Sequence, residues 1–140
     1  MKNLTLLAVL ICMILGGVTL AQDAPPNPQD LYEGQVAPPE FPADLDWINT
    51  ENPLTMQGLI GKIVIFDFWT YGCINCIHMI PVLAQIEEKY AEEVMVIGVH
   101  SAKFDNEGQT NNLRQIVQRY NLHHPVINDN QFVVWQAYGA

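Results

Sequence analysis

Two near-continuous apolar runs, separated by an amphipathic stretch, set the pattern of the chain. Ile63-Val64-Ile65-Phe66-Asp67-Phe68-Trp69 and Val94-Met95-Val96-Ile97-Gly98-Val99 are β-prone and lack alternation. That is the pattern of strands buried on both faces. Between them Ile77, Ile80, Leu83/Ala84 and Tyr90 recur at helical spacing, with Glu87-Glu88-Lys89 toward water, which predicts a helix over 76–90. Pro81 lies inside it and is expected to kink it. Strand, helix and strand of these lengths form a right-handed βαβ unit with parallel strands. Downstream, Leu113, Ile116, Val117 and Tyr120 at i, i+3, i+4 and i+7 predict a second helix with Thr110 as N-cap. Pro125-Val126-Ile127 reads as a short third strand, and Phe132 to Tyr138 as the start of a third helix with Gly139 as its C-cap. Upstream, Trp47, Ile48, Leu54, Met56 and Leu59 between turn formers predict a short hairpin over a sheet edge. The alternation of elements predicts an α/β fold.

The N-terminus follows another pattern. Met1-Lys2-Asn3 is a short positive start, and the seventeen residues from Leu4 to Leu20 carry no charge. Thr19 and Ala21 take the −3 and −1 places of a small-residue cleavage site, so residues 1–21 read as a secretory signal peptide. An uncleaved membrane anchor is the alternative, at the short end of a span. Cys12 follows Ile11 rather than a small residue, which disfavours a lipoprotein signal, and it would leave with the signal. Residues 22–40, rich in Pro, Asp and Gln, read as a linker, and 41–140 as the folded domain. Export implies a periplasmic or extracellular, oxidising setting, where thiols persist only if something keeps them reduced.

Composition narrows the chemistry. With 140 residues, 49% apolar and 15% charged, the chain suits one small globular domain. Six Lys+Arg against fifteen Asp+Glu give −9, or 5 − 15 = −10 once Lys2 leaves with the signal. Such a surface argues against nucleic-acid binding. Three cysteines are too few for a disulfide-scaffolded mini-protein and one short of a Cys₄ zinc site.

The chemistry therefore concentrates in Trp69-Thr70-Tyr71-Gly72-Cys73-Ile74-Asn75-Cys76. Two cysteines three apart stand where a buried strand gives way to a helix. Cys73 falls at the helix N-terminus, where free N–H groups and the macrodipole favour a thiolate. Cys76, one turn deeper, is placed to resolve a mixed disulfide on Cys73. Two idle core cysteines are the bland reading. Haem attachment would need His at the place of Ile77, since His78 comes one residue late. Zinc would need two of His78, His100, His123 and His124, without recognisable spacing. Cu(I) capture by Cys73, Cys76 and a histidine is a further option. His78 itself reads as a surface residue. Trp69 and Tyr71 read as an apolar collar around Cys73.

Asp67 is the other informative position. A carboxylate within an apolar strand is costly when ionised and unpaired, so its proton affinity should rise. It lies six residues before Cys73 and can point beneath the active-site turn, ready to take the proton of Cys76. The alternative is a strand-end aspartate that is solvated or paired with Lys62.

These residues resemble the thioredoxin superfamily from Gly61 to Tyr120: buried strand, Asp67, Trp69, CxxC, helix proline Pro81 and a second parallel strand. “WINT”, “GKIVIFDFWTYGCINC”, “GVHSAKFDNE” and “HPVIND” are similar to the thioredoxin-like domain preceding the β-propeller of NHL repeat-containing proteins. The chain also resembles the exported TlpA-like thiol–disulfide oxidoreductases. The resemblance implies a thioredoxin-like βαβ with a parallel sheet core. It implies Cys73 and Cys76 as the redox-active pair and Asp67 as the buried proton acceptor. Ile74-Asn75 replaces the Gly-Pro of thioredoxin, so redox poise does not carry over. Pro125 is the one downstream candidate for the family's cis-proline, yet no closing hairpin follows it, so 41–140 is expected to be C-terminally truncated before the hairpin and last helix. The expected function is an exported thiol–disulfide oxidoreductase with no cofactor beyond the Cys73–Cys76 disulfide. Its partners would be a thiol- or disulfide-bearing substrate and an electron donor. Rival readings are a peroxide-reducing redoxin, favoured by Thr70 three before Cys73 but lacking a proline at Phe66, a non-catalytic scaffold module, and a Cu(I) chaperone.

Overall fold

A computed structural model describes residues 37–140; the segment read as a signal peptide and most of that read as a linker lie outside the described residues. Four strands form one sheet in the order β1-β4-β3-β2. They are β1 (Asp46–Ile48), β2 (Ile63–Trp69), β3 (Val94–His100) and β4 (Val126–Asn128). The helices are α1 (Ile74–Lys89), α2 (Thr110–Arg119) and α3 (Val133–Tyr138). β2, β3 and β4 run parallel, and β1 joins β4 antiparallel. The two apolar runs are β2 and β3, paired from Ile63↔Val94 to Trp69↔His100. α1 carries the chain between them.

Alternation along the strands divides the core in two. Val64, Phe66, Phe68, Ile97, Val99 and Ile127 pack with Val134 and Tyr138 of α3 on one face. Trp69, Val126 and Ile48 pack on the other with Leu113 and Val117 of α2 and with Cys76, Ile77 and Ile80 of α1. Ile97, Val99, Leu113 and Ile127 are wholly enclosed, and each such side chain contributes about 1.5–3 kcal/mol by burial. The face under α1 and α2 is the one that Asp67 shares.

Three local expectations change. The hairpin over 47–59 is instead the single strand β1 followed by a 3-10 turn at Gln57–Leu59. The reason is Asn49, which adopts φ 61 and donates from Nδ2 to the carbonyls of Leu122 at 2.8 Å and His124 at 3.1 Å. Those bonds tie β1 to the segment entering β4 rather than to a hairpin partner. Thr110 is the first residue of α2, not its cap, and Gln109 holds the cap position. The Thr110 hydroxyl is otherwise engaged, donating to Asp46 Oδ2 and accepting from Asn128 Nδ2. α1 begins at Ile74, two residues before the expected start, and runs as one helix through Pro81. α3 ends as expected, with Gly139 at φ 68.

Candidate active site

β2 delivers the chain to a tight turn at Thr70–Gly72, and the turn delivers Cys73 to the end of α1. Cys73 is the N-cap, with extended backbone (φ −103, ψ 106), and its Sγ accepts the Cys76 N–H at 3.4 Å. Its own N–H donates to the Thr70 carbonyl at 3.0 Å, and its carbonyl accepts from Ile77 N at 3.1 Å. A sulfur here thus replaces the oxygen that usually caps a helix. Both cysteines are free thiols and partly accessible. The hydrogen bond from the Cys76 thiol holds Cys73 below the ordinary thiol range. The N–H groups of Cys76 and Asn75 and the Lys103 ammonium add to it. Cys76 is pushed the other way, first by burial, then by its bond to Cys73 and by the nearby charge of Asp67. One sulfur is thus tuned toward the thiolate and the other toward the thiol.

Asp67 stands on the α1-facing side of β2. Burial raises its affinity for a proton, and His124, in its protonated form, works against that rise. It does not pair with Lys62, whose Nζ donates to the Glu92 carbonyl at 2.8 Å. Asp67 therefore lies within electrostatic reach of Cys76 and of a histidine from the segment entering β4.

The turn is supported from below by two residues that sequence patterning did not single out as supports. Glu107 is 3% exposed, and its Oε2 accepts from the Thr70 hydroxyl at 2.6 Å and from Lys103 N at 2.9 Å. Burial raises this carboxyl, but the Thr70, Lys103 and Phe104 hydrogen bonds and His100 outweigh it and hold the group below its usual range. His100, at the end of β3, stacks under Tyr71 with centroids 5.3 Å apart and planes at 19°. Its Nε2 accepts the Tyr71 N–H at 3.4 Å. Burial lowers it to about 4, so it is a neutral acceptor under ordinary conditions; Glu107 and its cross-strand neighbour Asn128 oppose that shift.

Among the expected site residues, Cys73, Cys76 and Asp67 come together. Tyr71 borders the site, whereas Trp69 is buried in the core edge-on to His100. His78 is exposed, as expected of a surface residue. Thr70 is buried and committed to Glu107 rather than presented at Cys73. Pro125 leads into β4 through a trans peptide bond, and its carbonyl accepts from Gly98 N at 2.9 Å. Among the described residues no three His, Cys, Asp or Glu side chains cluster as a metal site. No helix of the described residues is long and apolar enough to cross a membrane.

A thiol pair at the start of a helix after a buried parallel strand invites comparison with known proteins. The family model described as “Thioredoxin-like” matches residues 61–140. The chain belongs to the thioredoxin-like family. It is 48% identical over 110 residues to “NHL repeat-containing protein 2” of Bos taurus, covering 76% of this chain and 15% of that protein. It is 23% identical over 101 residues to “Thiol-disulfide oxidoreductase YkuV” of Bacillus subtilis, covering 71% of this chain and 67% of that protein. The solved structure of “Thioredoxin-like superfamily protein SPOA0173” superposes with a TM-score of 0.63 at 21% identity. That match covers 74% of this chain and 71% of the other and bears on the fold. The chain thus spans a small part of its NHL-repeat relative and most of the bacterial one.

Proposed function

We infer that this chain is an exported thiol–disulfide oxidoreductase in which Cys73 is the attacking thiolate, Cys76 the resolving thiol and Asp67 its proton acceptor. The observation that carries the reading is the opposed tuning of the two sulfurs across the 3.4 Å contact between Cys73 Sγ and Cys76 N. The Cys73 thiolate attacks one sulfur of a substrate disulfide, and the other sulfur leaves as a thiolate. Cys76 gives its proton to Asp67 and attacks Cys73 Sγ. The Cys73–Cys76 bond forms as the bond to substrate breaks, and the second substrate sulfur leaves. The substrate gains two electrons, the pair loses two, and an external dithiol restores them. Run backward, the same steps oxidise a substrate dithiol. The disulfide is the only cofactor these steps use.

Family membership and the thiol–disulfide oxidoreductase among its relatives support this class of reaction. The signal-like segment at 1–21 supports export to a periplasmic or extracellular setting, and the net charge of −9 supports a substrate other than nucleic acid. Insulin-disulfide reduction by the full chain with dithiothreitol as donor tests the proposal. Wild type should accelerate precipitation of the insulin B chain. Cys73→Ser should abolish the effect, and Cys76→Ser should accumulate an adduct on Cys73. Activity retained by Cys73→Ser would overturn the assignment. Parallel assays with hydrogen peroxide and Cu(I) address the peroxidase and copper readings.

A further inference from the structure

The sheet face that carries Asp67 also holds a buried histidine with an unmatched atom. His124, just before Pro125, is 4% exposed, and its Nδ1 lies 3.0 Å from Oε2 of Glu87 on α1. A carboxylate only accepts, so this contact fixes the proton of the neutral imidazole on Nδ1 and leaves Nε2 a bare lone pair. Nε2 is enclosed by protein and has no hydrogen-bond partner. A buried acceptor in that state is expensive. It is tolerable where a donor arrives during function.

Gly98 connects this lone pair to Asp67. The two residues are register partners in β2 and β3, so a side chain at 98 would stand beside Asp67 on the same face. Glycine leaves that place open. The site its Cβ would fill is 3.3 Å from His124 Nε2 and 3.1 Å from the indole Nε1 of Trp69, also buried and unpartnered. The groups around this column are few. α1 supplies Cys76 and Glu87, and β3 supplies His100 two register pairs beyond Gly98. α2 supplies the apolar Leu113 and Val117. Lys62 is turned away to the Glu92 carbonyl. Of these basic groups, His124 is the one whose charge acts on the Asp67 carboxyl, and its Nε2 lies against the Gly98 site.

We propose that His124, oriented by Glu87, is the proton outlet of Asp67 and carries the Cys76 proton toward solvent. The inference rests on Cys76 being the resolving thiol. As Cys76 attacks, its S–H bond breaks, the proton passes to the Asp67 carboxylate, and the sulfur's electron pair forms the bond to Cys73. Asp67 and Nε2 are not hydrogen-bonded at rest, so the protonated carboxyl turns toward the place left by Gly98 and there gives the proton to His124 Nε2. The Nδ1 proton moves to Glu87, whose side chain is 27% exposed and returns it to water. The relay moves one proton and no electrons. His124 and Glu87 are positioning and relay residues, since neither touches substrate.

The test uses the full chain labelled with carboxyl-¹³C aspartate, with Asp67 assigned by loss of its resonance in Asp67→Asn. Titrations of wild type, His124→Gln and Glu87→Gln are compared. Removing the imidazole should move the Asp67 titration to higher pH; a titration unmoved in both variants overturns the proposal. In parallel, release of thionitrobenzoate from its mixed disulfide with Cys73 reads the resolving step. His124→Gln should slow it on the order of 10-fold with an altered pH profile, short of the 10²–10⁴-fold of a direct acid–base group. Glu87→Gln, at the open end, tests the relay without emptying the core. An unchanged release profile in Glu87→Gln, with its melt intact, also counts against the relay. If wild type itself fails to release thionitrobenzoate, Cys76 is not the resolving thiol and the relay falls with it. The carboxyl titration still reports separately whether Asp67 and His124 are coupled.

Discussion

Gly72→Ala probes the support beneath the reactive turn. Gly72 is not among the residues with positive φ, so backbone freedom does not demand glycine there. Its neighbour does. A Cβ at 72 would sit 2.6 Å from Oε1 of Glu107. The carboxyl group cannot swing aside, because its Oε2 is held at 2.6 Å by the Thr70 hydroxyl and at 2.9 Å by Lys103 N. Either the turn bearing Cys73 lifts, or those two bonds break. Forcing a methyl into a packed site costs about 1–3 kcal/mol, and a hydrogen bond to a charged group is worth about 1.5–3 kcal/mol. The substitution should therefore destabilise the protein by roughly 2–4 kcal/mol. Urea unfolding of wild type, Gly72→Ala, Glu107→Ala and the double variant reads this out. Glu107→Ala strands the Thr70 hydroxyl and the Lys103 N–H, yet it makes room for the methyl. The double variant should then lose less than the sum of the single losses, by about 1 kcal/mol or more. A wild-type midpoint for Gly72→Ala, or strictly additive losses, would refute Glu107 as the buttress of the turn.

Two further outcomes follow from the titrating groups. Folding holds His100 near 4, below its ordinary 6.5, so the unfolded chain binds more protons between those values and stability falls as pH drops from about 6.5 to 4. Protonated His100 would also turn Nε2 from an acceptor of the Tyr71 N–H into a donor facing a donor. Glu107, held low by its hydrogen bonds, adds a loss below the usual carboxylate range, so His100→Gln should flatten the upper part of the melting-temperature curve and leave the lower part. Asp67→Asn should slow resolution on the order of 100-fold, the lower end of general acid–base effects. It should leave stability equal or higher, because a buried charge is gone; a variant that loses stability and keeps its rate would show a structural ion pair instead.

The parts of this architecture that repeat along the chain were legible in sequence. β2 and β3 announce themselves as unbroken apolar runs, α1 and α2 by period, and Cys73 and Cys76 by spacing. Asp67 stood out as the single charge in an apolar strand. The supports were not legible, because each is a meeting of residues distant in sequence. Thr70 meets Glu107 across 37 positions, Tyr71 meets His100 across 29, and His124 meets Glu87 across 37. Glu107 sits in a loop without periodicity, and His100 and His124 were visible only as metal ligands without spacing. β1 was misplaced for the same reason, since its partner β4 lies near the other end of the described residues. One signal was available: Gly98 interrupts an apolar run rich in branched residues, a mark of close approach by another group.

The central claim is the division of labour between two chemically identical side chains. Reduced protein at pH 6, pulsed with iodoacetamide and mapped by mass spectrometry, measures it directly. Cys73, whose thiol is lowered by the Cys76 hydrogen bonds, should be carbamidomethylated well before Cys76, whose thiol is raised by burial. Equal rates at the two sulfurs, or faster labelling of Cys76, would contradict the account.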